Sequence, residues 1–357
     1  MSGQPPVEKI LKEVFENEEI INKLRGWLEE RKVANEKYSV PRGKTINLFI
    51  TITAESDLLI RHEGVEDVTL LQVGRHIVPA ILDIKFRAVA RRNMLTLLRN
   101  AYDRNQKVKS EVDEILKKVV KDYQEGSWLC AMRPHIKGKK EKGGKLQMQM
   151  KGLCGHCPNC LIYGFAVEEE GEFNVKSRIE GDAYYGTIPS ADSVTGRTRN
   201  SVDEATYTTG QALFTERPIL PGTIFVGKIA MHDLTPSEFL LTLFSIATTS
   251  RIGARQTCNG KIRIDIPAII LSNHEKGSGY ELCKQILSKG YEKPSLEEVI
   301  QEVNDYAQKV GRNSIVITSR DLSDRLRTLP LDDVDEVIIG AWKDVAIMEE
   351  SIKLMKP

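Results

Sequence analysis

The chain has 357 residues, with 51 Lys+Arg against 50 Asp+Glu, a net charge of +1, and a hydrophobic share of 41%. That composition supports an ordinary core and excludes collagen, coiled-coil and fully disordered chains. No apolar stretch reaches the roughly 18 residues of a membrane span, and the polar start, Met1 to Pro6, is no secretion signal, so a cytoplasmic protein without membrane contact is expected.

The near-neutral total averages unlike parts. Residues 1–43 hold 8 basic and 8 acidic residues, 291–357 hold 9 and 14, and the middle is left with 34 and 28, a net of +6. Two stretches of the middle, 75–104 and 131–153, each carry seven Lys/Arg, against two acids and one acid respectively. A basic middle between neutral and acidic ends suits a polyanionic partner. The lysines of 137–145 also fit a plain solvated loop.

In chain order, the apolar residues of 7–32 recur with a helical period and predict one or two helices. Pro41-Arg42-Gly43 is a turn. Thr45 to Ala54, rich in β-branched residues, predicts a buried strand. A helix is expected after Pro79, running to about Tyr102, and a polar one over about 107–125. The Gly/Lys stretch 137–145 reads as a loop. Loops and short strands follow over 168–200. Thr206 to Thr215 and Thr223 to Ala230 read as strands. Thr235-Pro236-Ser237-Glu238 has the form of a capping box opening a helix to about Thr249. A Gly/Arg loop, 250–261, leads to a strand over Ile262 to Leu271. The remainder, 279–357, is mostly helical and acidic.

These elements form the order βαββαβ, which predicts an α+β fold with a ferredoxin-like or RRM-like core carrying large insertions and helical termini. The expected division is a helical segment over 1–43 and a core from 44–102 and 205–272. An insertion over 103–204 carries metal-binding and lid elements, and a helical domain covers 273–357.

Of six cysteines, Cys154, Cys157 and Cys160 are spaced Cys-x-x-Cys-x-x-Cys, and Cys130 lies 24 positions before the first of them. Without a secretion signal, a metal site is favoured over disulfides. Four thiolates suit a closed, structural zinc site, with His135 and His156 as substitute ligands. An iron–sulfur cluster is the other metal reading. Cys258 and Cys283 read as ordinary thiols.

Arg87 and Arg91, spaced i,i+4, continue the stripe of Met94, Leu95 and Leu98 toward one end of the first core helix. They therefore pair with acids or line a groove at the edge of the core. Lys85, Arg92 and Arg99 share another face and read most simply as a solvated stripe. In the loop Arg251-Ile-Gly253-Ala-Arg255, Gly253 and Gly260 free the backbone, which fits either phosphate contact or a tight connection. No P-loop, GxSxG or HExxH signature is present.

Residues 205–228, ATYTTGQALFTERPILPGTIFVGK, resemble the hairpin pattern of RAMP-superfamily CRISPR effector backbone subunits, through Gly210, Leu213, Phe214, Glu216, Ile219, Gly222, Thr223 and Phe225. The stretch CGHCPNCLIYGFA, 154–166, is similar to the cysteine-bearing insertion of the type I-D crRNA-binding backbone subunit. The resemblance implies an RRM-like fold with a structural zinc on Cys130, Cys154, Cys157 and Cys160. It also implies copies lined up along one crRNA, held with other subunits of the effector complex, which present the guide for pairing with a target nucleic acid. It makes Gly253, Arg255, Gly260 and Lys261 RNA candidates, with Lys85, Arg87 and Arg91 on the helix, Arg197 and Arg199 before the hairpin, and the loop 137–145 as a lid. The alternative is a RAMP-type ribonuclease cutting target or guide RNA, for which Asp57, Asp67, His62 and His76 are the nearby candidates. A third possibility is a zinc-bearing protein-interaction module that makes no RNA contact.

Overall fold

The computed structural model describes residues 6–61, 68–132, 152–166, 174–202 and 209–355, with side chains throughout except at 199–202 and 209–214. The N-terminal pattern resolves into α1 (Pro6–Phe15) and α2 (Glu18–Trp27), the second capped by the Asn17 side chain. The core begins with β1 (Thr45–Ala54), then β2 (Leu70–Val73), β3 (His76–Ile81), α3 (Asp83–Arg104) and α4 (Gln106–Val119). Pro79 thus lies in a strand, and the helix starts four residues later than the proline suggested. After the cysteine segment come α5 (Pro158–Tyr163), β4 (Ile179–Gly181), β5 (Tyr184–Gly186), α6 (Ser190–Ser193), β6 (Arg197–Val202) and β7 (Thr209–Glu216). The last part holds β8 (Ile224–His232), α7 (Pro236–Ala247), β9 (Ile262–Ser272), α8 (Gly279–Ser288), α9 (Leu296–Val310), β10 (Ile315–Thr318), α10 (Leu322–Arg327) and α11 (Leu331–Leu354). The Thr235–Glu238 capping box opens α7 as expected.

The chain is α+β, built on an antiparallel sheet in the order β10-β9-β1-β8-β5-β3-β2, with β4 also pairing β8. The predicted strand over 206–215 is not in this sheet. It forms β7, which pairs only with β6 in a separate two-stranded hairpin. The place beside β8 goes to β4 and β5, each three residues long and drawn from a stretch read as loops and short strands. Strands this short carry too little alternation to stand out in a sequence.

Strand alternation gives the sheet two apolar faces. Ile46, Leu48, Ile50 and Ile52 join the larger core, which also takes α3, α7 and α11. Phe49 points the other way, into a second core with α8 and α9, and meets Tyr306 edge-on at 5.7 Å between ring centres. Helices α8 and α9 therefore cover the face of the sheet opposite α3, α7 and α11. Among the described residues no helix is long and apolar enough to cross a membrane.

A buried ionic cluster ties the termini to this core. Arg31 and Arg178 both reach the fully buried Glu238, at 3.1 and 2.5 Å. Burial alone would raise the Glu238 pKa, but the two guanidiniums outweigh it and hold the carboxyl at about 2. Asp344 is pushed up to about 6, by burial first and then by the nearby Glu238 charge.

Candidate metal centre and nucleic-acid groove

The four predicted ligands converge. The sulfurs of Cys130, Cys154, Cys157 and Cys160 all lie within 4.8 Å of one another, and Cys130, Cys157 and Cys160 are buried. A zinc ion bonded at about 2.3 Å to four sulfurs sets them about 3.8 Å apart. The Cys130–Cys160 and Cys154–Cys160 separations, 3.6 and 4.0 Å, fit that edge. Local backbone explains how three cysteines wrap one point. Gly155 takes a positive φ of 80°, and Pro158 begins a one-and-a-half-turn helix directly after Cys157. Amides of Cys154, Gly155 and His156 donate to the sulfurs of Cys130, Cys160 and Cys154 at 3.4, 3.4 and 3.5 Å. Burial, and then contact with the other sulfurs, pushes the Cys157 thiol well up. A cation is what makes four close thiolates affordable. The donor set and its spacing thus fit one ion of the zinc type.

The substitute ligand His156 is engaged elsewhere. Its Nδ1 lies 2.9 Å from the buried Glu349 of α11, which Lys353 also contacts at 2.9 Å. His135 lies outside the described residues, as does the basic stretch 137–145.

Arg87 and Arg91 pin this module to α3. Arg91 donates to Asn159 at 2.9 Å and to the Gly164 carbonyl at 2.7 Å, while Asn159 donates back to the Arg91 carbonyl at 2.9 Å. Arg87 pairs with Asp83 and donates to the Ile179 carbonyl at 2.9 Å. Burial lifts Asp83 to about 6 against the pull of Arg87. Of the two expectations for these arginines, pairing within the fold is what their contacts describe.

Lys85 and Arg92 do the opposite. With Ala88 and Val89 they occupy one outward face of α3, the spacing i, i+3, i+4, i+7 placing them together. This face lines a groove of about 360 Å³, completed by Leu59 to Arg61 and by Ile252, Gly253, Ala254 and Gln256. Among the described residues, three cations and no acid line it. Among the described residues neither the Lys85 nor the Arg92 side chain has an ion pair or hydrogen bond. The glycine loop closes against the chain after β1. Ala254 N–H donates to the Leu59 carbonyl at 2.8 Å. Gly253 has φ 94°, and a Cβ there would stand 2.4 Å from the Leu59 carbonyl oxygen. Gly260, φ 77°, approaches the Ile252 carbonyl as closely, so both glycines serve loop packing.

The other nucleic-acid candidates stand around the groove in pairs. Arg255 contacts the buried Glu216 at 2.9 Å, and Arg61 is 3.7 Å from the same carboxylate. Lys261 meets Glu55 at 3.1 Å, and Arg197 meets Asp57 at 2.6 Å. The Arg199 side chain, His62 and Asp67 lie outside the described residues, and His76 sits beside Arg75. Sequence reasoning missed Arg61, Gln256 and the role of Arg92. Arg92 shares its face with Lys85, and that spacing was the available signal; Arg61 and Gln256 enter by tertiary folding alone.

An antiparallel sheet with helices on both faces thus carries a four-cysteine module bolted to the first core helix and a cationic groove beside it. The family model of Csc2, a CRISPR family, matches residues 31–343, and the chain belongs to that family. The crystal structure of Csc2 from Thermofilum pendens is similar, with a TM-score of 0.69, 24% identity, and 97% of this chain and 98% of that one covered. A chain of a CRISPR RNA-guided surveillance complex in a pre-nicking state has a TM-score of 0.53 at 11% identity, covering 84% and 99%. No curated protein matches the sequence.

Proposed function

We propose that the chain is the crRNA-binding backbone subunit of a type I-D CRISPR interference complex. In this reading copies assemble along a single-stranded guide with other subunits, and the guide pairs with the invading nucleic acid while the protein holds its backbone. The groove carries the reading: Lys85, Arg92 and Arg61 over a floor of small and aliphatic residues, with no acid among its described residues. Acid-free cationic grooves follow phosphates without reading sequence.

The fold supports an RRM-like core with one departure. The central order β9-β1-β8-β5, with α3 after β1 and α7 after β8, has the ferredoxin-like arrangement when β5 stands for the second strand. An RRM stacks bases on its open sheet face. Here α8 and α9 cover that face, so the guide must run over the helix side and the glycine loop. The metal is zinc and its role structural: the four sulfurs surround one point, and a four-iron cluster would push them further apart. Binding of labelled single-stranded RNA tests the reading. The wild type binds in a salt-sensitive manner, and Lys85→Glu with Arg92→Glu weakens binding at least tenfold and flattens the salt slope by about two. Equal binding by that double variant rejects the groove.

A further inference from the structure

The β6–β7 hairpin is fastened to the groove rim by a pair of charges of opposite sign. Arg197 and Glu216 face each other in register at the hairpin's base. Arg197 reaches Asp57, in the segment after β1, with two nitrogens at 2.6 and 2.9 Å. Glu216 reaches Arg255 of the glycine loop and Arg61 of the groove lining at 2.9 and 3.7 Å. The carboxylates lie beneath, Glu216 at 2% exposure and Asp57 at 15%, while the side chains of Arg61, Arg255 and Arg197 are 39–47% exposed. The arginine side chains thus face solvent more than the carboxylates they hold do. A two-stranded hairpin is marginal by itself, so its docking depends on such contacts. Half-exposed ion pairs are weak, and a phosphate offers guanidinium the same forked acceptor as a carboxylate.

We propose that Glu216 and Asp57 are internal stand-ins for phosphate: Glu216 docks the hairpin on Arg255 and Arg61, Asp57 holds the hairpin's own Arg197, and the phosphates of a bound strand displace both carboxylates and release the hairpin. This rests on the reading of the groove as an RNA site. Linkage then works both ways, so a change that loosens the latch and keeps its cations tightens RNA binding.

The test uses the full chain, labelled single-stranded RNA and amide hydrogen exchange over 197–202 and 209–216. RNA is expected to speed exchange in both strands. Asp57→Asn is expected to speed it without RNA and to tighten RNA binding about two- to fivefold, the scale of one weak pair, because it removes the stand-in and keeps the cation. Arg197→Gln is expected to speed exchange as well, without tightening RNA binding, because it removes the phosphate's partner along with the latch. Weaker or unchanged binding by Asp57→Asn, or slower hairpin exchange on adding RNA, overturns the latch. Lys85→Glu separates the two ideas: it weakens RNA binding whether or not the latch exists, and if it has no effect the groove reading fails, and the latch with it.

Discussion

The cysteine centre and the groove are assembled in contrasting ways. The centre takes its four sulfurs from Cys130 and a seven-residue turn, 154–160, and its geometry is largely written into Gly155, Pro158 and the cysteine spacing. The groove takes its cations from Arg61, Lys85 and Arg92 and its wall from 252–256, segments that meet only through the sheet and α3. A metal needs fixed ligands at one distance, which short spacing supplies. A polyanion needs positive potential spread over a surface, which many arrangements supply. The first is therefore legible locally and the second is not.

Breaking the centre should have the largest effect. Cys157→Ser, or chelation, is expected to release about one zinc per chain by elemental analysis and to destabilise the fold by several kcal/mol, since structural zinc binding contributes folding energy. Iron in place of zinc, or no metal, contradicts the assignment. RNA binding should fall with it, because Arg91 joins the cysteine turn to the groove helix.

The buried Glu238 comes next, and lies outside both regions. Its folded pKa of about 2 is below its ordinary value of 4.5, so its contribution is full above pH 4.5 and is lost as pH falls toward 2. That loss amounts to about 3 kcal/mol. Denaturant melts across this range should show the decline, and Glu238→Gln, expected to cost ~3–5 kcal/mol at neutral pH by leaving the buried Arg178 without its carboxylate while Arg31 keeps Glu29, should lack it.

Smaller effects sharpen the contrast on α3 itself. Arg91→Ala removes bonds to Asn159 and Gly164 and should cost about 1–3 kcal/mol in thermal melts. Arg92→Ala, one residue on, should cost less than about 0.5 kcal/mol in stability yet weaken RNA binding several-fold. Equal stability costs for the two would erase the distinction between a packing face and a binding face.

Several features could be read from residues alone. Strands 45–54, 223–230 and 262–271, the capped helix at Thr235 and the cysteine spacing each carry a strong local signal, and each has its element in the structure. The second core strand was misplaced, because 206–215 has strand composition whether it joins the sheet or stands apart as a hairpin. Composition also cannot tell which of two helix faces its cations leave open. Arg87 and Arg91 read as groove candidates and are bonded to the 159–179 segment, whereas Arg92 read as a solvated stripe and lines the groove. What decided it was the packing of α5 and β4 against α3, which no short window contains.

The central claim is that one strand of RNA lies along the outward face of α3 and the glycine loop. Photo-crosslinking of single-stranded RNA to the full chain, followed by mapping of the crosslinked peptides, addresses it directly. Crosslinks are expected to concentrate in peptides spanning 83–92 and 251–261. Crosslinks confined to α8 and α9, on the opposite face of the sheet, would contradict it.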